Sequence, residues 1–197
     1  MYPKAFINVK EIFESLPGVG KKNAERFVYA LLEKDQSVLE EIAQDINELK
    51  KNIKFCTTCH LMTDKEICDV CSNDKRNHDI ICVVNSTKDA FAIEKLDEYD
   101  GVYHVLNGEI SPNKGVMPED LFIDDLLQKS QNGVKEIILA TNPTMDGEIT
   151  SLYIKKLFDE TNIKITRLAY GLPMGAYVDY TDELTLIKAF NGRQKIN

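Results

Sequence analysis

Apolar spacing divides the chain into three stretches. Over residues 1–53, apolar and polar positions alternate with a helical period. Val9, Ile12, Phe13 and Leu16 fall on one face of a first helix, and Asn8 with Glu11 three residues on resembles a capping box at its start. A second helix carries Ala24, Phe27, Val28 and Leu31 on one face. A third is predicted from Ser37, with Glu40 completing another capping box, and continues through Ile42, Ile46 and Leu49.

Residues 54–79 have few aliphatics, too few to hold a fold by burial alone. From Ile80 onward short apolar runs alternate with helical spacing. Ile80-Ile81-Cys82-Val83-Val84 reads as a strand covered on both faces. Val102–Leu106, Glu136–Ala140 and Lys164–Ala169 read as further strands. Helices are expected around Ala90 to Leu96, around Ile123, Leu126 and Leu127, and from Ser151 to Phe158. Alternating strands and helices imply parallel crossover units and an open α/β sheet. A short final helix follows, capped by Thr181 or Asp182. The expected modules are 1–53, 54–79, 80–175 and 176–197.

Composition narrows the class. The 197 residues are 43% hydrophobic and 28% charged, an ordinary globular balance. No apolar run approaches the roughly 18 residues of a membrane span, and Met1-Tyr2-Pro3-Lys4-Ala5-Phe6 lacks a signal-peptide pattern, so a cytoplasmic protein is expected. The net charge of −8 excludes a protein that coats nucleic acid by bulk charge, so phosphate contacts must be local. In a reducing compartment the five cysteines are not expected to form structural disulfides.

Leu16-Pro17-Gly18-Val19-Gly20 lies between the first two helices. Proline cannot continue the first helix, and the glycines permit a sharp turn and close backbone approach. The next helix then presents free amides and its positive dipole end, an anion site. Lys22 and Arg26, four apart, share a face and can flank the same phosphates, with Gly18, Gly20 and Lys21 beside them. Contacts of that kind read the DNA backbone rather than base sequence. The blander reading is a plain helical turn with solvated lysines. A nucleotide P-loop is excluded, because Ser15 stands where its first glycine belongs and no Ser or Thr follows Gly20-Lys21.

Cys56-Thr57-Thr58-Cys59 and Cys68-Asp69-Val70-Cys71 form two CxxC pairs separated by eight residues. Two such knuckles complete a closed tetrahedral site for one structural zinc. Cys56–His60 also matches a haem-attachment pattern, but that reading leaves Cys68 and Cys71 unexplained. Cys82 sits in a buried strand as a small core residue, and His60, His78 and His104 are scattered.

The order of hairpin, four-cysteine finger and α/β region resembles the RecR family of bacterial recombination mediators over nearly the whole chain. Tyr103–Gly108, Ile110-Ser111-Pro112, Ala140–Thr144 and Tyr170–Gly175 strengthen the resemblance. It implies an α/β architecture: a helix-hairpin-helix module for DNA binding and oligomerisation, a zinc finger, a Toprim-like, mostly parallel sheet, and a helical C-terminal tail. It also implies homo-oligomers, dimeric or tetrameric rings, that work with RecO and RecF to load RecA on single-stranded DNA without catalysis. Catalytic Toprim enzymes hold magnesium with a glutamate after the first strand and an Asp-x-Asp pair later. Here Asn85 replaces that glutamate, which RecR-like sequences usually keep, and Asp146-Gly147-Glu148 stands at the later position. Asp146 and Glu148 are therefore candidates for partner docking or weak magnesium binding, or simply acids in a helix's first turn. Asp182-Glu183-Leu184-Thr185 resembles the family's Walker B-like element, without a P-loop to serve.

The expectation is a non-enzymatic DNA clamp and adaptor. The alternatives are a magnesium-dependent Toprim nuclease or primase, and a purely structural oligomerising adaptor.

Overall fold

A computed structural model describes residues 2–195. The chain divides into two compact units, residues 1–53 and 54–197.

The first unit holds three helices, α1 (Lys4–Glu14), α2 (Lys21–Leu32) and α3 (Gln36–Asn52). The capping box expected at Asn8 does not form, because α1 begins four residues earlier, behind Pro3. Proline fixes φ near its helical value and needs no hydrogen bond there. Long-range aromatic packing fixes the early turn: Phe6 is buried, stacks on Tyr2 at 4.3 Å and meets Tyr29 edge-on at 5.1 Å. Such offset and edge-to-face pairs suit the ring quadrupoles. The box expected at Ser37 is also absent. Asp35 is the N-cap residue of α3, and Glu40 instead accepts a hydrogen bond from the Gln36 side chain. Ala24 and Val28 of α2 are buried as expected, and Phe27 packs edge-on against Phe13. Ile12, Leu16, Ile46 and Leu49, by contrast, remain exposed within the single chain.

The second unit opens with a two-residue antiparallel ladder, β1 (Lys54–Phe55) with β2 (Met62–Thr63), that closes the first cysteine knuckle. Its body is a parallel sheet of order β4-β3-β5-β6, formed by β3 (Asn77–Val84), β4 (Gly101–Val105), β5 (Glu136–Ala140) and β6 (Lys164–Arg167). The connecting helices are α4 (Thr87–Glu94), α5 (Ile123–Ser130) and α6 (Met145–Leu157), and α7 (Glu183–Asn191) lies in the tail. Helix α6 starts six residues before the expected Ser151, so Asp146 and Glu148 lie in its first turn, where acids suit the dipole. Asp182 caps α7 by accepting from the Thr185 amide.

Strand side chains alternate between faces. Ile81, Val83, Val102, Ile137 and Leu139 join one core with Ile123, Leu126, Ile154 and Phe158 of α5, α6 and the turn after α6. Cys82, Val84, Tyr103, Val105 and Ala140 join a second core with Ala90 of α4 and with Cys56, Cys59, Leu61 and Cys68. The cysteine finger is thus one of the covers of the sheet. Among the described residues, no helix is long and apolar enough to cross a membrane.

Candidate functional site

Three places bring chemistry-bearing residues together. In the finger, the sulfurs of Cys56, Cys59, Cys68 and Cys71 all lie within 4.8 Å of one another. The first three residues are buried, and all four thiols are free of disulfides. Each knuckle is a tight turn: the His60 amide donates to the Cys56 carbonyl and the Ser72 amide to the Cys68 carbonyl. His60 adopts a left-handed φ of 61° to complete the first. The Cys68 amide points at Cys56 Sγ and the Cys71 amide at Cys68 Sγ, both at 3.4 Å, donors that favour thiolates. Hydrogen bonding from Cys59 holds the Cys68 thiol far below the ordinary thiol range. Four soft sulfurs at this spacing form a closed tetrahedral zinc site with no position for substrate. Behind it, His60 stacks on Phe122 at 3.7 Å and places Nε2 2.8 Å from Asp125 Oδ2, while the Val105 amide donates to the Cys59 carbonyl at 2.9 Å.

In the first unit, Gly18 takes φ +81° and Gly20 is the extended N-cap residue of α2. No side chain caps that helix and no acid lies in its first turn. Its leading amides are therefore open to an anion. Lys21, Lys22 and Arg26 are all exposed along the same short stretch. A Cβ added to either Gly18 or Gly20 would meet open space, so the backbone there can be approached closely.

The third place is a crevice at the carboxyl ends of the sheet, where the chain leaves β3 for β4 on one side and β5 lies on the other. Open α/β sheets bind ligands at such reversals. An open pocket of about 460 Å³ is lined there by Asn85, Glu109, Ser111, Lys114, Asn142 and Asp146, among others. Asn85, directly after β3, is buried and donates Nδ2 to Glu109 Oε1 at 2.6 Å. Thr144 Oγ1 donates to the other Glu109 oxygen at 3.2 Å. Lys114 Nζ reaches Asp146 Oδ2 at 2.9 Å, and this ammonium holds the Asp146 carboxyl below the usual carboxylate range. Asp89 is occupied as the third helical residue of the α4 capping box, accepting from the amide and hydroxyl of the N-cap Ser86. Gly147 has a steric role: a Cβ there would collide with the Asn142 carbonyl and crowd Glu109.

Four family models match in order along the chain: the RecR helix-hairpin-helix over 9–50, the RecR four-cysteine zinc finger domain over 53–73, the Toprim domain over 79–169 and the RecR C-terminal region over 171–194. The chain belongs to the RecR family. RecR membership places it in recombinational DNA repair, with a helix-hairpin-helix and a zinc finger of the kinds that bind DNA. The zinc-finger match spans the four converging cysteines, which hold one structural zinc per chain.

Within this RecR architecture, the structure separates Asp146 from Glu148. Both were candidates for partner docking or weak magnesium binding, and they point to different surroundings: Asp146 faces the crevice while Glu148 faces Arg167 at 2.7 Å, Tyr170 and Lys188. Partial burial alone would raise the Glu148 carboxyl, but Arg167, Lys188 and the Tyr170 hydroxyl together outweigh it and hold the group below the usual carboxylate range. Glu109 was missed in the sequence, although it stands between two stretches that carry the family resemblance. No helical or strand period marks it, and only the parallel crossover brings it to Asn85. Magnesium does not fit the crevice as it stands. Glu109 is engaged by neutral donors and Asp146 by an ammonium. Among the described residues, the four cysteines are the group of three or more His, Cys, Asp or Glu whose ligand atoms converge.

Proposed function

We propose that this RecR-family chain is a non-enzymatic DNA clamp and adaptor that works with RecO and RecF to help load RecA on single-stranded DNA. The observation that carries it is the uncapped, acid-free N-terminus of α2, with Gly18, Gly20, Lys21, Lys22 and Arg26 grouped at its start. Such a surface takes phosphates without reading bases. Exposed Ile12, Leu16, Ile46 and Leu49 in the same unit support its use in self-association as a dimer or tetramer ring. A ring multiplies a weak contact by raising effective concentration. The separate positions of Asp146 and Glu148 favour partner docking over two-metal chemistry, which needs converging oxygen ligands.

Nuclease, primase and topoisomerase assays with magnesium or manganese test the non-enzymatic reading. No turnover above a mock preparation is expected. Turnover that copurifies with the protein and disappears in Asp146→Ala contradicts it.

A further inference from the structure

We propose that Lys114 is a built-in counter-cation that keeps the crevice at the carboxyl ends of β3 and β5 closed to divalent metal ions. The residue is fixed in place by local structure rather than left to a long loop. Pro112–Lys114 form a 3-10 turn, Gly115 follows in the left-handed region at φ +73°, and Ser111 and Val116 exchange both backbone hydrogen bonds at 2.9 and 3.0 Å. From this clip the Lys114 ammonium reaches Asp146 Oδ2 at 2.9 Å, and both residues line the pocket.

Apart from Lys114, the pocket lining carries the hard oxygen donors that a divalent cation takes. Asp146 supplies a carboxylate, Glu109 a second, and Asn85 an amide. Asn85 is only 5% exposed, its Nδ2 is spent on Glu109, and its Oδ1 is buried with no hydrogen-bond partner. A buried acceptor left unpaired is costly and attracts a donor or cation. Three oxygens from these side chains, completed by water, are the ligand type that magnesium and manganese take. With Lys114 present, the strongest of the three is already neutralised, and a metal entering beside it meets like charge. The pair is solvent-exposed on the lysine side, so its hold is modest rather than absolute. The exclusion is independent of whether the hairpin of the first unit binds DNA.

Manganese is the probe, titrated into zinc-loaded full-length protein with free ion counted by electron paramagnetic resonance. Wild type should bind weakly, and Lys114→Met should bind about tenfold more tightly, the scale of losing one partly screened like charge. Lys114→Arg keeps the charge and should behave as wild type. Asp146→Asn added to Lys114→Met should return binding to the wild-type level. The proposal is overturned if Lys114→Met binds no more tightly than wild type. It is equally overturned if Lys114→Arg gains as much as Lys114→Met, or if the gain survives Asp146→Asn.

Discussion

The His104 ring has no exposed surface and has exchanged water for the core of the second unit, keeping one hydrogen bond from Nε2 to the Phe122 carbonyl at 2.6 Å. Burial penalises its charged form and lowers its pKa from the usual 6.5 to about 4. Between those values the unfolded chain binds a proton that the folded chain refuses. Stability from this residue is therefore complete above pH 6.5 and is lost progressively as pH falls toward 4. The full shift corresponds to about 3 kcal/mol, of which about 2 kcal/mol is lost at pH 5. Urea unfolding at pH 7 and pH 5 should show that loss in wild type. His104→Gln keeps a donor for Phe122 but cannot titrate, and its stability should fall by less over the same interval. Loss of zinc at low pH affects both proteins alike, so the difference isolates the imidazole. Equal falls would remove His104 as the cause.

Strand β5 and the apolar half of β3 were legible because a doubly covered strand has to be apolar on both faces, and Ile80–Val84 leaves no other reading. The starts of α1 and α3 were not, because local capping patterns compete with contacts set elsewhere: Phe6 is fixed by Tyr29, 23 residues on. The four cysteines were legible from spacing alone, but their burial against the sheet was not. Cys56, Cys59, Leu61 and Cys68 pack with Cys82, Val84, Tyr103 and Val105, and the Cys59 carbonyl accepts from the Val105 amide on edge strand β4. Zinc loss should therefore reach beyond the finger. Chelation, or Cys68→Ser, should cost about 3 kcal/mol or more. Amide hydrogen exchange should rise in β3 and β4 as well as in residues 54–73. Exchange that rises in 54–73 alone would show that the finger is a separate appendage.

At the scale of the whole molecule, an acidic chain has to bind a polyanion through a small surface. On the proposed reading, the net charge of −8 repels DNA at long range, while Lys21, Lys22 and Arg26 at the start of α2 attract it at contact. On that reading few phosphates are neutralised per chain, so one copy should bind weakly and an oligomer by avidity. The same balance should make binding indifferent to base sequence and steeply sensitive to salt. The structure also divides labour: the hairpin lies in the first unit, and the zinc site and acidic crevice in the second. Damage to the hairpin surface should therefore leave zinc content and the sheet untouched. Fluorescence anisotropy of labelled single-stranded and duplex DNA tests this most directly, comparing zinc-loaded wild type with Lys22→Glu/Arg26→Glu at low and physiological salt. Wild type should bind several unrelated sequences alike, losing affinity by at least about tenfold as salt rises, and the double variant should scarcely bind although its zinc content and oligomeric mass are unchanged. A double variant that binds at low salt as tightly as wild type would mean the hairpin does not hold the DNA.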